Sequence, residues 1–159
     1  MKKIILIVII TFYISVSSQT RKDEYGFDYS INNNQKILAP TCYNILSTFS
    51  MPPEVFEELM EEYGYKSNSL QIFNKNINNK AFRIAKSKSE KKEQSSIAMV
   101  WINYIPDFTD IEKNFENNFT VDSLGNKKYY LIKEEYKLHI DIIEIKKKKM
   151  ITLIATFEI

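Results

Sequence analysis

Glycine, cysteine and histidine are scarce in this chain: three glycines, one cysteine and one histidine among 159 residues. So few glycines leave little scope for a phosphate-cradling loop, which needs several positions free of a Cβ in close succession. A single cysteine, Cys42, excludes an internal disulfide and a paired-cysteine metal site. It is expected either buried and inert, or free to pair with another chain, and burial suits this residue type better. A single histidine, His139, excludes any site built on several imidazoles and would have to serve as the base of any triad. Neither HExxH nor a nucleophile elbow occurs.

An excess of one charge is missing too. The chain holds 22 basic and 20 acidic residues, net +2. Both surplus lysines, Lys2 and Lys3, lie in the first 18 residues, so the remainder has 22 − 2 = 20 basic against 20 acidic residues and no net charge. That removes the overall basic field that nucleic-acid or anionic-membrane binding draws on. No nucleic-acid partner, cofactor or metal is expected. Apolar side chains are what the chain does have: 44% hydrophobic and 13% aromatic residues, enough to build the core of one domain.

Residues 1–20 read MKKIILIVIITFYISVSSQT. Lys2 and Lys3 form a positive start, Ile4 to Val16 an apolar run, and Val16 and Ser18 a small-residue cleavage site ahead of Gln19. Residues 1–18 are expected to be a signal peptide, giving a secreted or periplasmic protein. The apolar run falls short of the roughly 20 residues that cross a bilayer, so no span remains after cleavage.

Residues 19–35, polar with an Asn triplet at Asn32 to Asn34, read as a flexible amino terminus. A single α+β domain is expected over 36–159. Ile37 to Phe49 reads as a short strand or turn. Ser50-Met51-Pro52-Pro53-Glu54 reads as a helix start capped by Ser50, with Val55, Phe56, Leu59, Met60 and Tyr63 on one stripe and Gly64 as the stop. Strands are expected at Leu70 to Phe73, Ala81 to Ile84 and Ile97 to Ile105. The near-continuous apolarity of the last, IAMVWINYI, marks a central strand. The charged run Ser87 to Gln94 reads as a loop. Thr109-Asp110-Ile111-Glu112 matches a capping box, with Phe108, Ile111 and Phe115 at helical spacing. Ser123-Leu124-Gly125-Asn126 then reads as a turn between two short strands.

The clearest pattern closes the chain. From Glu135 to Ile159, two β-rich runs flank Lys146 to Lys149. Tyr136, Leu138, Ile140 and Ile142 share one face, as do Ile151, Leu153, Ala155 and Phe157 in the second run, which is the period of a half-buried strand. Adjacent Ile142 and Ile143 break the alternation and call for a bulge or burial on both sides. Helix, three strands, helix, three strands is the coarse order. It fits an antiparallel sheet with two helices packed on one face, a tandem αβββ pseudo-repeat with halves at 50–105 and 106–159. The competing arrangement is a cone-like or cystatin-like sheet wrapped on one helix.

Few candidate site residues emerge. His139 and Asp141 share a strand face, and an Asp can orient an imidazole; no Ser or Cys nucleophile is set beside them by spacing, so no catalytic residue is assigned. Asp110 with Glu112, and Asp141 with Glu144, are pairs within reach of a hard cation, but no calcium-loop pattern surrounds them. Trp101, Tyr104, Phe108, Tyr129 and Tyr130 are an aromatic group that belongs either to the core or to a contact surface, with Trp101, Tyr104 and Tyr130 the binding candidates. The Lys146 to Lys149 tip discourages edge-to-edge aggregation and offers a contact for acidic lipid or polymer.

The signal segment ending Ser-Gln, the bias to Asn, Lys and Ile, the FEELMEEYGY helix and the terminal paired strands resemble small exported proteins of unknown function from flavobacteria and their relatives. The tandem helix-plus-sheet order is similar in outline to β-lactamase inhibitory proteins. Those inhibitors carry disulfides that this chain cannot form, and no functional residue is carried over. Together these readings point to an exported, non-enzymatic domain that binds a protein partner in the envelope or outside the cell, inhibitor- or immunity-like in one version. The alternative is a small-ligand carrier or enzyme with a pocket between helix and sheet.

Overall fold

The computed structural model describes residues 20–68, 71–89 and 94–158. The expected signal segment, 1–18, lies outside them. In chain order the elements are β1 (Arg21–Lys22), β2 (Asp28–Asn32), β3 (Gln35–Leu38), α1 (Cys42–Ser50), α2 (Pro53–Glu62), β4 (Lys66–Ser67), β5 (Ile72–Ile77), β6 (Lys80–Ser89), β7 (Gln94–Ile102), α3 (Thr109–Asn114), β8 (Phe119–Val121), β9 (Lys127–Ile132), β10 (Lys137–Ile145) and β11 (Met150–Glu158). A single 3-10 turn, Lys146–Lys148, joins the last two strands.

The main sheet has eight strands in the order β4-β5-β6-β7-β11-β10-β9-β8, every pair antiparallel. It consists of two meanders, β4 to β7 and β8 to β11, each entered from a helix. Their final strands, β7 and β11, pair at the centre. The fold is thus the expected α+β class, an antiparallel sheet with helices on one face. It adds the short edge strand β4, a third helix, and a separate three-stranded sheet β1-β2-β3, while the other edge strand, β8, is the first of the two short strands expected around Ser123 to Asn126.

Period-two patterning sets the sheet. β10 and β11 pair from Lys137↔Glu158 to Ile145↔Met150 without a slip. The adjacent isoleucines therefore mark two-sided packing and no bulge: Ile142 turns to the covered face at 8% exposure, and Ile143 stands half-buried on the other. Leu138, Ile140, Leu153 and Ala155 are fully buried. Each large aliphatic side chain so covered contributes about 1.5–3 kcal/mol. The trough they line continues through Ile97, Met99 and Trp101 of β7 and Phe82 and Ile84 of β6.

Of the stretch 37–49, expected to be a short strand or turn, Ile37 and Leu38 end β3, while Cys42 to Phe49 lie in α1. Thr41 caps it, its side-chain oxygen accepting the N–H of Asn44 at 3.3 Å. Asn44 is completely buried. It donates to the carbonyls of Asp28 (2.6 Å) and Ala39 (2.9 Å), and its own oxygen accepts the N–H of Asp28 (2.9 Å). These bonds fix β2 to α1. A run of Asn, Ser, Thr and Cys has weak helix propensity, so the helix is held by tertiary bonds rather than by its composition. Ser50 is the last residue of α1, not the cap of α2, which opens on Pro52 and Pro53. α2 buries Phe56, Leu59 and Met60, while Val55 stays exposed. Residues expected to be loose up to 35 instead build β1 and β2. Asn33 and Asn34 both adopt left-handed backbone (φ 47° and 59°), which lets β2 turn directly into β3.

Two lysines lie on the covered face. The ammonium of Lys86 donates to the Met51 carbonyl and that of Lys75 to the carbonyls of Tyr63 and Lys36. Met51 and Tyr63 are the carboxy-terminal cap residues of α1 and α2. A cation there satisfies end carbonyls and meets the negative end of each helix dipole. Burial holds the Lys75 pKa below its ordinary value.

Candidate functional site

The two faces of the main sheet differ in cover. On the face turned from the helices, cross-strand rows run Ala81–Ile102–Met150–Ile145, then Arg83–Val100–Thr152–Ile143, then Ala85–Ala98–Ile154–Asp141. None of these residues is buried. The centre of the face is apolar, and its polar members increase toward the far end, where Ser96, Thr156, His139 and Tyr130 form the next row. A contiguous apolar patch left open at the middle of a sheet marks an interaction surface. A polar border around an apolar centre is the anatomy of a protein interface.

The candidate residues are dispersed. Trp101 sits on the covered face at 3% exposure, its ring edge-on to Phe108 with centroids 5.8 Å apart. Tyr129 is buried there too, against Phe115. Tyr104 is half-buried and packs edge-on to Phe82. Of the three binding candidates, Tyr130 alone belongs to the open face, where its ring meets His139 edge-on at 5.4 Å. His139 and Asp141 both face the open side and are half-buried.

Asp110 and Glu112 hold elements of the fold together, and Asp141 and Glu144 stand apart. Asp110 accepts the N–H of Cys42 at 2.7 Å, closing the first turn of α1 and tying α3 to it. Glu112 pairs with Lys127. Asp141 faces the open side and Glu144 the covered side, so the two do not converge on one ion. Among the described residues no group of three or more His, Cys, Asp or Glu side chains comes together. Burial, and secondarily Asp110, push the Cys42 thiol up to about 12, and a thiol in that state is a poor nucleophile. Among the described residues no helix is long and apolar enough to cross a membrane.

A second feature lies at the turn end of the terminal hairpin. A cleft of about 450 Å³ is lined by Tyr104, Ile105, Glu144, Lys146, Lys149 and Met150, with Asn79 and Asn103 beside them. Between helices and sheet, by contrast, the space is filled by apolar side chains. The lysine tip was legible in the sequence. The cleft was not, because it joins loops from three distant parts of the chain.

No family model matches the chain, and no curated protein or solved structure does so either.

Proposed function

We propose that this chain is an exported, non-enzymatic protein-binding domain whose contact surface is the open face of its eight-stranded sheet. The observation that carries the reading is the set of apolar rows through Ile102, Met150, Val100 and Ile154, none of them buried, at the centre of an otherwise well-covered sheet. The partner is a protein offering a flat apolar surface with a mixed-charge border, since Arg83, Asp141, Lys128 and His139 surround or adjoin the rows with both signs. An inhibitor- or immunity-like role is one form of this function. Export rests on the composition of residues 1–18.

The test uses residues 19–159 as bait against envelope and secreted proteins. A captured protein should be lost by about tenfold or more when Ile102 and Ile154 are both changed to Lys, because a charge is forced into the apolar centre. Undiminished capture by that variant overturns the reading. So does turnover of a substrate, or a homodimer that Ile154→Lys dissolves, which would make a second copy the occupant.

A further inference from the structure

We propose that the cleft at the turn end of the sheet binds a free amino acid with a large apolar side chain, held as its zwitterion. This goes beyond the protein-binding reading: the cleft shares Met150 with the open face, and its other lining residues lie outside the apolar rows.

The cleft is held in shape by Asn103. That residue has left-handed backbone, φ 56°, which Asn tolerates better than most side chains. In this conformation its N–H donates to the Lys149 carbonyl at 2.8 Å, and its side-chain amide donates to the Asn79 carbonyl at 2.8 Å. One residue thereby pins the β5–β6 turn and the β10–β11 turn to the segment after β7. The walls exist before any ligand arrives, and a volume of about 450 Å³ lies within the range of small-molecule sites.

The lining mixes apolar and charged side chains. Tyr104, Ile105, Met150 and Ile151 are its apolar members, and Ile105 has 82% of its surface in solvent. Glu144, Lys146 and Lys149 supply the charges. The ion pairs among the described residues are Lys22 with Asp28, Lys36 with Glu62 and Lys127 with Glu112, so the opposite charges around the cleft do not pair with each other. A ligand of one sign would be attracted by one set of these charges and repelled by the other. An α-amino acid brings both signs on one carbon: its carboxylate suits the lysines, its ammonium suits Glu144, and its side chain covers Ile105.

The test is an NMR titration of the protein with L-phenylalanine, hydrocinnamate and phenethylamine, which share one ring and differ in charge. L-phenylalanine should give saturable shifts at the methyl groups of Ile105 and Met150. Hydrocinnamate and phenethylamine should each bind about tenfold more weakly, each having lost one charged contact. Glu144→Gln, at an exposed position that should not disturb folding, should weaken L-phenylalanine by about threefold to tenfold and leave hydrocinnamate unweakened. No saturable shift with L-phenylalanine overturns the site. Hydrocinnamate binding as tightly as L-phenylalanine overturns the zwitterion, and shifts confined to residues outside the cleft overturn the location.

Discussion

Along β7, Ile97, Met99 and Trp101 point under the helices and are buried, whereas Ala98, Val100 and Ile102 alternate with them and stand on the open face at partial exposure. The same contrast runs through β10 and β11, where Ile142 and Leu153 are covered and Ile143 and Ile154 are not. Both faces are apolar at their centres, so hydrophobicity alone does not tell them apart. What differs is what lies on top. Even charges on the covered side are spent on packing, with Lys75 and Lys86 bonded to the ends of the helices that roof it. Among the described residues the open side has apolar rows and no such cover, and the proposed contact surface lies there.

The contrast should show most strongly in core truncation. Leu138→Ala should cost about 2–5 kcal/mol by denaturant unfolding, because it leaves a cavity in a filled layer. Ile154→Ala, on the same sheet but the other face, should cost under about 1 kcal/mol. Equal costs would break the comparison by showing that both faces are packed. Next in size are the lysines. Lys86→Met keeps the length of the side chain but strands the helix-end carbonyl of Met51, at a cost of about 1–3 kcal/mol. Arg83→Met, exposed on the open face, should move stability by no more than about 0.5 kcal/mol. Smaller than the Lys86 effect is that of Tyr63→Phe. It removes the 2.5 Å bond from the phenol to Asp23 and should cost about 1 kcal/mol.

Cys42 gives the mildest test, one of reactivity. Its thiol is pushed up to about 12, against an ordinary 9.0, by burial first and Asp110 second. The folded chain keeps the proton where the unfolded chain loses it, so this group's contribution to stability falls as pH rises through that interval. At pH 8 the native thiol should alkylate at least about a hundredfold more slowly than the urea-unfolded one. Equal rates would show that α1 does not shield it.

Much of this frame was legible in the residues. The terminal hairpin stood out because its alternation runs through two nine-residue strands, broken only at Ile142 and Ile143. IAMVWINYI signalled a central strand, and β7 does pair on both sides, with β6 and β11. Its two-sided apolarity did not reveal that only one side is roofed, because the roof is made by distant helices. α1 was hidden by its poor helix formers, and β2 and β3 by asparagines that read as loop but form the turn between them. The roles of Lys75 and Lys86 were not legible, since nothing local announces that a helix end lies above each. The binding candidates Trp101, Tyr104 and Tyr130 shared only their aromatic character, and the fold sends them to core, cleft and open face in turn.

The most direct measurement pairs two readouts on one protein, the Ile102→Lys, Ile154→Lys double variant. An open face that serves a partner predicts a melting temperature within a few degrees of the parent, about what surface substitutions produce, together with loss of partner capture. A collapse of the melting temperature would show that the face is packed in the free protein. An unchanged melting temperature with capture intact would show that the partner binds elsewhere.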